Sequence, residues 1–81
     1  MNENKSIDAR TFQEIWETLT DYQRTNLKWA IQMNLEVSDQ AIRFWRTGKR
    51  HPCKANRKEI ARLTSIVTKT RCKPELLFPK V

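Results

Sequence analysis

The segment VSDQAIRFWRTGKRHP, residues 37–52, decides how this chain reads. Ser38 is a good helix N-cap, because its hydroxyl can accept from an orphan amide of the first turn, and Asp39 suits the positive end of the helix dipole. Ile42 and Trp45, three residues apart, share one face with Ala41. Gly48, the only glycine in the 81 residues, suits the left-handed position that ends a helix. The spacing therefore predicts a helix over 38–47, with Val37 plugging the turn before it. With Ile42 and Trp45 turned inward, Ser38, Asp39, Gln40, Arg43, Phe44 and Thr47 are left on the outer side. Lys49, Arg50 and His51 follow the glycine at once, and Pro52 stiffens the exit.

Outward from this segment the chain reads as helical throughout, an all-α bundle of four to five short helices. Glycine is nearly absent, and no strand-like alternation of four or more residues stands out. The first residues, to about Ala9, are polar and expected to fray, so 1–10 reads as a flexible segment and 11–81 as a single domain. Thr11 with Glu14 forms a capping box ahead of Phe12, Ile15, Trp16 and Leu19 at helical spacing. Thr20 with Gln23 forms a second one and starts a helix at Asp21, whose inner stripe is Leu27, Ala30, Ile31 and Leu35. Asn34 can take the left-handed conformation, which places the turn at 34–37. Asn56 with Glu59 is a weaker capping pair for a helix running through Ile60, Leu63 and Ile66 or Val67. Pro74 starts a last turn over 75–78, and Pro79 stops it.

Charge is distributed unevenly. The net charge is +7, yet residues 1–42 carry four bases against seven acids, whereas residues 43–73 carry eleven bases against Glu59 alone. So concentrated a basic block is a footprint for polyanions, or else a solvated basic surface. No apolar run exceeds the three residues Leu76, Leu77 and Phe78, so no membrane span is expected, and the opening MNENKSIDAR has no signal-peptide pattern. Cys53, Cys72 and His51 are one ligand short of a structural zinc site. Reduced thiols in the cytoplasm are the expectation, with Cys72 packed and Cys53 near the surface. No cofactor is implied.

The outer side of the 38–47 helix carries the chemistry. Gln40 and Arg43 lie on one line down that side. Glutamine can pair bidentately with adenine and arginine with guanine, the most informative contacts in the major groove. The same two residues would equally suit a wet helix face. Phe44 is either rim packing or an apolar contact to a thymine methyl. Candidate phosphate contacts are Arg46, Lys49, Arg50, His51, Lys54, Arg57 and Lys58, the last two also lying in the first turn of the next helix, where amides face outward.

Val37–Ser38, then Ile42, Trp45, Gly48 and Pro52, resemble the second half of a phage-repressor or Cro-type (Xre-like) helix-turn-helix, and the tail CKPELLF (72–78) resembles the closing helix of that family. The resemblance covers about residues 20–78. It implies a lambda-repressor-like fold and a homodimeric transcriptional regulator on palindromic operators. The first half departs. The family has a small residue and, four residues on, a glycine directly before the valine. Ala30 and Asn34 match that pair only if Leu35 and Glu36 are extra, giving a longer turn. A gapless register places Gln32 and Glu36 there instead.

Together these features point to sequence-specific binding of double-stranded DNA by a repressor-type regulator. The alternative is a protein-interaction or antitoxin-like module on the same fold, with Trp29 and Met33 as an apolar pair on the second helix. RNA binding lacks an aromatic platform, and enzymatic activity lacks a nucleophile, a paired carboxylate or a phosphate-cradling glycine loop. No small-molecule substrate is evident. The apolar tail Leu76, Leu77, Phe78 and Val81 could serve a homodimer or could cap the core.

Overall fold

The computed structural model describes residues 7–79. Their order is β1 (Ile7–Asp8), α1 (Phe12–Thr18), α2 (Asp21–Leu35), α3 (Asp39–Thr47), α4 (Lys54–Thr68), β2 (Arg71–Cys72) and α5 (Pro74–Leu77). This is a small all-α bundle carrying one two-residue strand pair. Both capping boxes form: the Thr11 and Thr20 hydroxyls accept from the Glu14 and Gln23 amides, and the two side chains reach back to the cap amides. The predicted stripes then meet. Phe12, Ile15, Trp16 and Leu19 bury with Leu27 and Ile31, with Ile42 and Trp45, and with Ile60, Ala61 and Leu63. The long helices α2 and α4 pack on each other, α3 rests on α1 and α2, and α5 closes against α4.

The apolar tail caps this core. Leu77 and Phe78 are buried, and the Phe78 ring lies 5.5 Å from that of Phe12. Val81 lies outside the described residues, as do residues 1–6 of the segment expected to be flexible. Val67, not Ile66, continues the inner stripe of α4; Ile66 is exposed.

Three expectations are corrected. Ile7 and Asp8 do not fray. They pair in parallel with Arg71 and Cys72, so the chain is not helical throughout. Side-chain bonds hold both strands: the Ser65 hydroxyl accepts from the Cys72 amide at 2.9 Å, the Thr70 hydroxyl donates to the Asp8 carboxylate at 3.5 Å, and Arg10, two residues on, donates to the same carboxylate at 2.6 and 2.9 Å. That guanidinium holds the Asp8 carboxyl below its ordinary range.

The second concerns the turn before α3. Asn34 stays helical and donates its side-chain amide to the Ala30 carbonyl at 2.7 Å. The helix runs one residue further because Leu35 packs against the core, and Glu36 takes the left-handed conformation at φ 55°. The left-handed residue thus stands directly before Val37, which is the gapless register, and no extended turn is present. Third, α4 begins at Lys54 and not at Asn56. Pro52 is buried, and its carbonyl accepts from the Arg57 guanidinium at 2.9 Å, which fixes the entry two residues early. Glu59 faces Arg62 instead of capping the helix.

Candidate nucleic-acid interface

Helix α3 is held from behind and at both ends. Ile42 and Trp45 are buried, at 1% and 8% exposure, with Val37, Ala41 and Phe44 packed around them. The Ser38 hydroxyl accepts from the Ala41 amide at 3.1 Å, so that side chain is used as the cap. At the other end Gly48 has φ 81°, and the Lys49 and Arg50 amides both point to the Phe44 carbonyl, at 2.9 and 3.3 Å. A Cβ on Gly48 would stand 2.9 Å from the Gln13 side-chain oxygen. The backbone angle is what favours glycine here, since the Gln13 oxygen is the free end of an exposed side chain that can swing away. The closed helix end orients the basic residues that follow it.

The outer ridge of α3 is uncovered. Gln40, Arg43 and Thr47 are exposed. The Thr47 hydroxyl turns back to the Arg43 carbonyl at 2.8 Å, leaving its methyl outward. Among the described residues no hydrogen bond or ion pair engages the side chain of Gln40 or Arg43, so both keep their full donor capacity for a ligand. Nine helical residues span about 13 Å, comparable to the width of a major groove.

Other predicted contacts are partly engaged within the protein. Asp39 faces Lys28 of α2 at 3.2 Å, an exposed pair of the kind worth about 0–1 kcal/mol. Phe44 does not stand on the ridge. It is half-buried against the core, under the Arg50 guanidinium at 5.0 Å. Arg57 is turned to Pro52. His51 is half-buried, its ring edge-on to Phe78 at 5.9 Å and its Nδ1 buried without a partner. Lys49, Lys54 and Lys58 are exposed, and Arg50 keeps its charge at the surface above Phe44.

The fold adds two cations absent from the sequence-based set. A cleft between α1, α2 and α3 is lined by Trp16, Arg24, Lys28, Asp39, Arg43 and Arg46. Arg46 lies over the Trp16 ring at 5.5 Å and Arg24 at 6.0 Å, distances within cation–π range. Arg24 is braced by the Trp16 carbonyl at 2.9 Å and the Glu17 carbonyl at 3.2 Å. Three further cations, Arg24, Lys28 and Arg46, and one carboxylate, Asp39, thus flank the Arg43 side of the ridge. Arg24 and Lys28 belong to the acidic first half of the chain, so a segment-by-segment count of charge conceals them. Their spacing of one helical turn is the signal that could have found them.

Among the described residues no three His, Cys, Asp or Glu side chains gather as a metal-binding group, and no helix is long and apolar enough to cross a membrane. Cys53 is exposed and Cys72 buried. No family model, curated protein or solved structure matches the chain.

Proposed function

We propose that this protein binds double-stranded DNA sequence-specifically and acts as a repressor-type transcriptional regulator in the cytoplasm, with no catalytic role. In this reading α3 lies in the major groove, Gln40 and Arg43 read base edges, and Thr47 offers its methyl. Lys49 and Arg50 take phosphates beyond the C-terminal end of α3, joined by Lys54 and Lys58. The cleft cations Arg24, Lys28 and Arg46 take phosphates on the flank. Phosphate contacts set register and affinity, whereas base contacts set sequence preference. The observation that carries the reading is an uncovered Gln40–Arg43 ridge, unpaired among the described residues, on a helix anchored by Ile42 and Trp45 and bordered by cations. The resemblance of residues 37–52 to repressor and Cro-type recognition segments supports the same assignment.

The test is selection from random duplex DNA, followed by titration at two salt concentrations. An enriched motif whose affinity falls steeply with salt is the expected result. Lys49→Ala should weaken all sequences alike and lower the salt slope by about 1. Failure to enrich any duplex would refute the reading. The second reading, a protein-interaction module, is favoured by one observation: Trp29 and Met33 stand exposed on α2.

A further inference from the structure

Asp39 is the one acid lining the cationic cleft, among Arg24, Lys28, Arg43 and Arg46. Asp21 approaches Arg24 only to 4.0 Å and does not line the cleft. Arg43 stands four residues beyond Asp39 on α3, at the spacing where helix side chains meet. The carboxylate nevertheless pairs across the cleft with Lys28 of α2, at 3.2 Å. Among the described residues the Arg43 guanidinium is thereby left without an ion pair. The pair ties the first residue of α3 to the middle of α2, and it stands partly in water, with Asp39 63% and Lys28 38% exposed. An ion pair of that kind is weak enough to exchange partners.

Duplex DNA creates a demand for the exchange. An ammonium has three donors, so the carboxylate does not block a phosphate from Lys28 outright. It neutralises the charge that attracts the phosphate, and repels that phosphate at short range. A phosphate brought to Lys28 therefore stands beside Asp39 unless the carboxylate finds another donor. Asp39 lies in the first turn of α3, the part of a recognition helix that meets base edges. In the major groove an acid accepts from the cytosine N4 amino group. Guanine and thymine present only acceptors there, and adenine sets an acceptor beside its amino group.

We propose that Asp39 is a specificity-determining residue that works by exchange. In the free protein it neutralises Lys28. On the preferred duplex it passes to a cytosine N4 amino group while Lys28 takes a phosphate. Where no cytosine stands beneath it, the carboxylate stays among phosphates and weakens binding. The inference rests on the DNA reading and adds to it a residue that acts chiefly against wrong sequences.

The test is titration of the full chain with the selected duplex and with a shuffled one. Asp39→Asn should raise affinity for the shuffled duplex by about 3–10-fold and steepen its salt dependence by about one phosphate contact. The preference for the selected duplex over the shuffled one should fall at least about tenfold, and repeated selection with this variant should lose a cytosine at one position. A gain in affinity cannot come from a damaged fold, so it is separate from the part Asp39 plays at the helix dipole. In a Lys28→Met background the same substitution should raise shuffled-duplex affinity by less than about twofold, because the partner it releases is gone.

An Asp39→Asn protein whose shuffled-duplex affinity stays at the wild-type level would overturn the proposal. So would equal gains on every sequence, which leave no base contact, or a gain undiminished by Lys28→Met, which leaves no exchange. Each of these results leaves the DNA reading standing, provided the wild type selects a motif. A wild type that selects none refutes that reading and this inference together.

Discussion

The outer sides of α2 and α3 face solvent under opposite rules. Each helix buries one apolar stripe, Leu27 with Ile31 on α2 and Ile42 with Trp45 on α3. Opposite its stripe, α3 presents Gln40, Arg43 and Thr47, whereas α2 presents Tyr22, Trp29 and Met33. The first side is polar, cationic and already comfortable in water. The second leaves apolar area in water with no fold-internal reason. Anchoring is therefore shared between the two helices, and what distinguishes them is the side turned away from the core. A polar ridge suits a polyanion and weakens with salt. An apolar pole suits another apolar surface and does not.

The largest way to break this contrast is to remove the anchor of one helix. Trp45→Ala should lower folding stability by about 3–5 kcal/mol, because a large side chain leaves the core under α3. Urea denaturation measures this, and a loss below about 1 kcal/mol would mean that α3 is not held from behind. Next comes the ridge itself. Arg43→Ala should reduce affinity for the preferred duplex by about 1–3 kcal/mol and relax selectivity at one base step, with stability changed by no more than about 0.5 kcal/mol. Competition binding against single-base variants would show whether the loss is confined to one position.

The two turns that bracket α3 give a smaller, paired test. Gly48→Ala should destabilise by about 1–2 kcal/mol, since its φ of 81° is a left-handed angle that a Cβ disfavours. Glu36→Gly should do the reverse and stabilise by about 1 kcal/mol. It relieves a non-glycine at φ 55° and removes a negative charge from the C-terminal end of α2. Thermal melts of the two variants should therefore move in opposite directions.

The smallest effect is a pH dependence away from both helices. The Arg10 guanidinium depresses the folded pKa of Asp8 below its ordinary value of 3.8. Its contribution is thus fully present above that value and is lost as the pH falls through the lower, folded value. Asp8→Asn should cost under about 1 kcal/mol at pH 7, and the difference from wild type should shrink below about pH 4. A difference that persists at pH 2 would assign the effect to something other than this ion pair.

What could be read directly from the residues is local. Thr11 with Glu14, Thr20 with Gln23, Ser38, and Gly48 each satisfy or release backbone groups within a few positions of themselves, and each appears where its chemistry predicts. The apolar spacings likewise named most of the core, because helical periodicity is a property of a single segment. Where two local choices competed, packing made the decision. Asn34 was the better left-handed residue, yet Leu35 gains core contact only if the helix continues, so Glu36 takes the strain. Asn56 was the better cap, yet buried Pro52 and its bond to Arg57 start the helix at Lys54.

Three features belong wholly to the assembled chain. The pairing of Ile7–Asp8 with Arg71–Cys72 joins residues 64 apart, beyond the reach of any local pattern. The placement of Arg24 and Lys28 beside Arg43 and Arg46 depends on how α2 crosses α3. The exposure of Trp29 and Met33 depends on α1 packing elsewhere than over them. Sequence by itself determined which segments are helical and which residues cap and anchor α3, since those follow from hydrogen bonds and periodicity inside one segment. Tertiary structure alone decided which cations share a cleft and which apolar side chains stay in water, because both depend on the relative placement of helices.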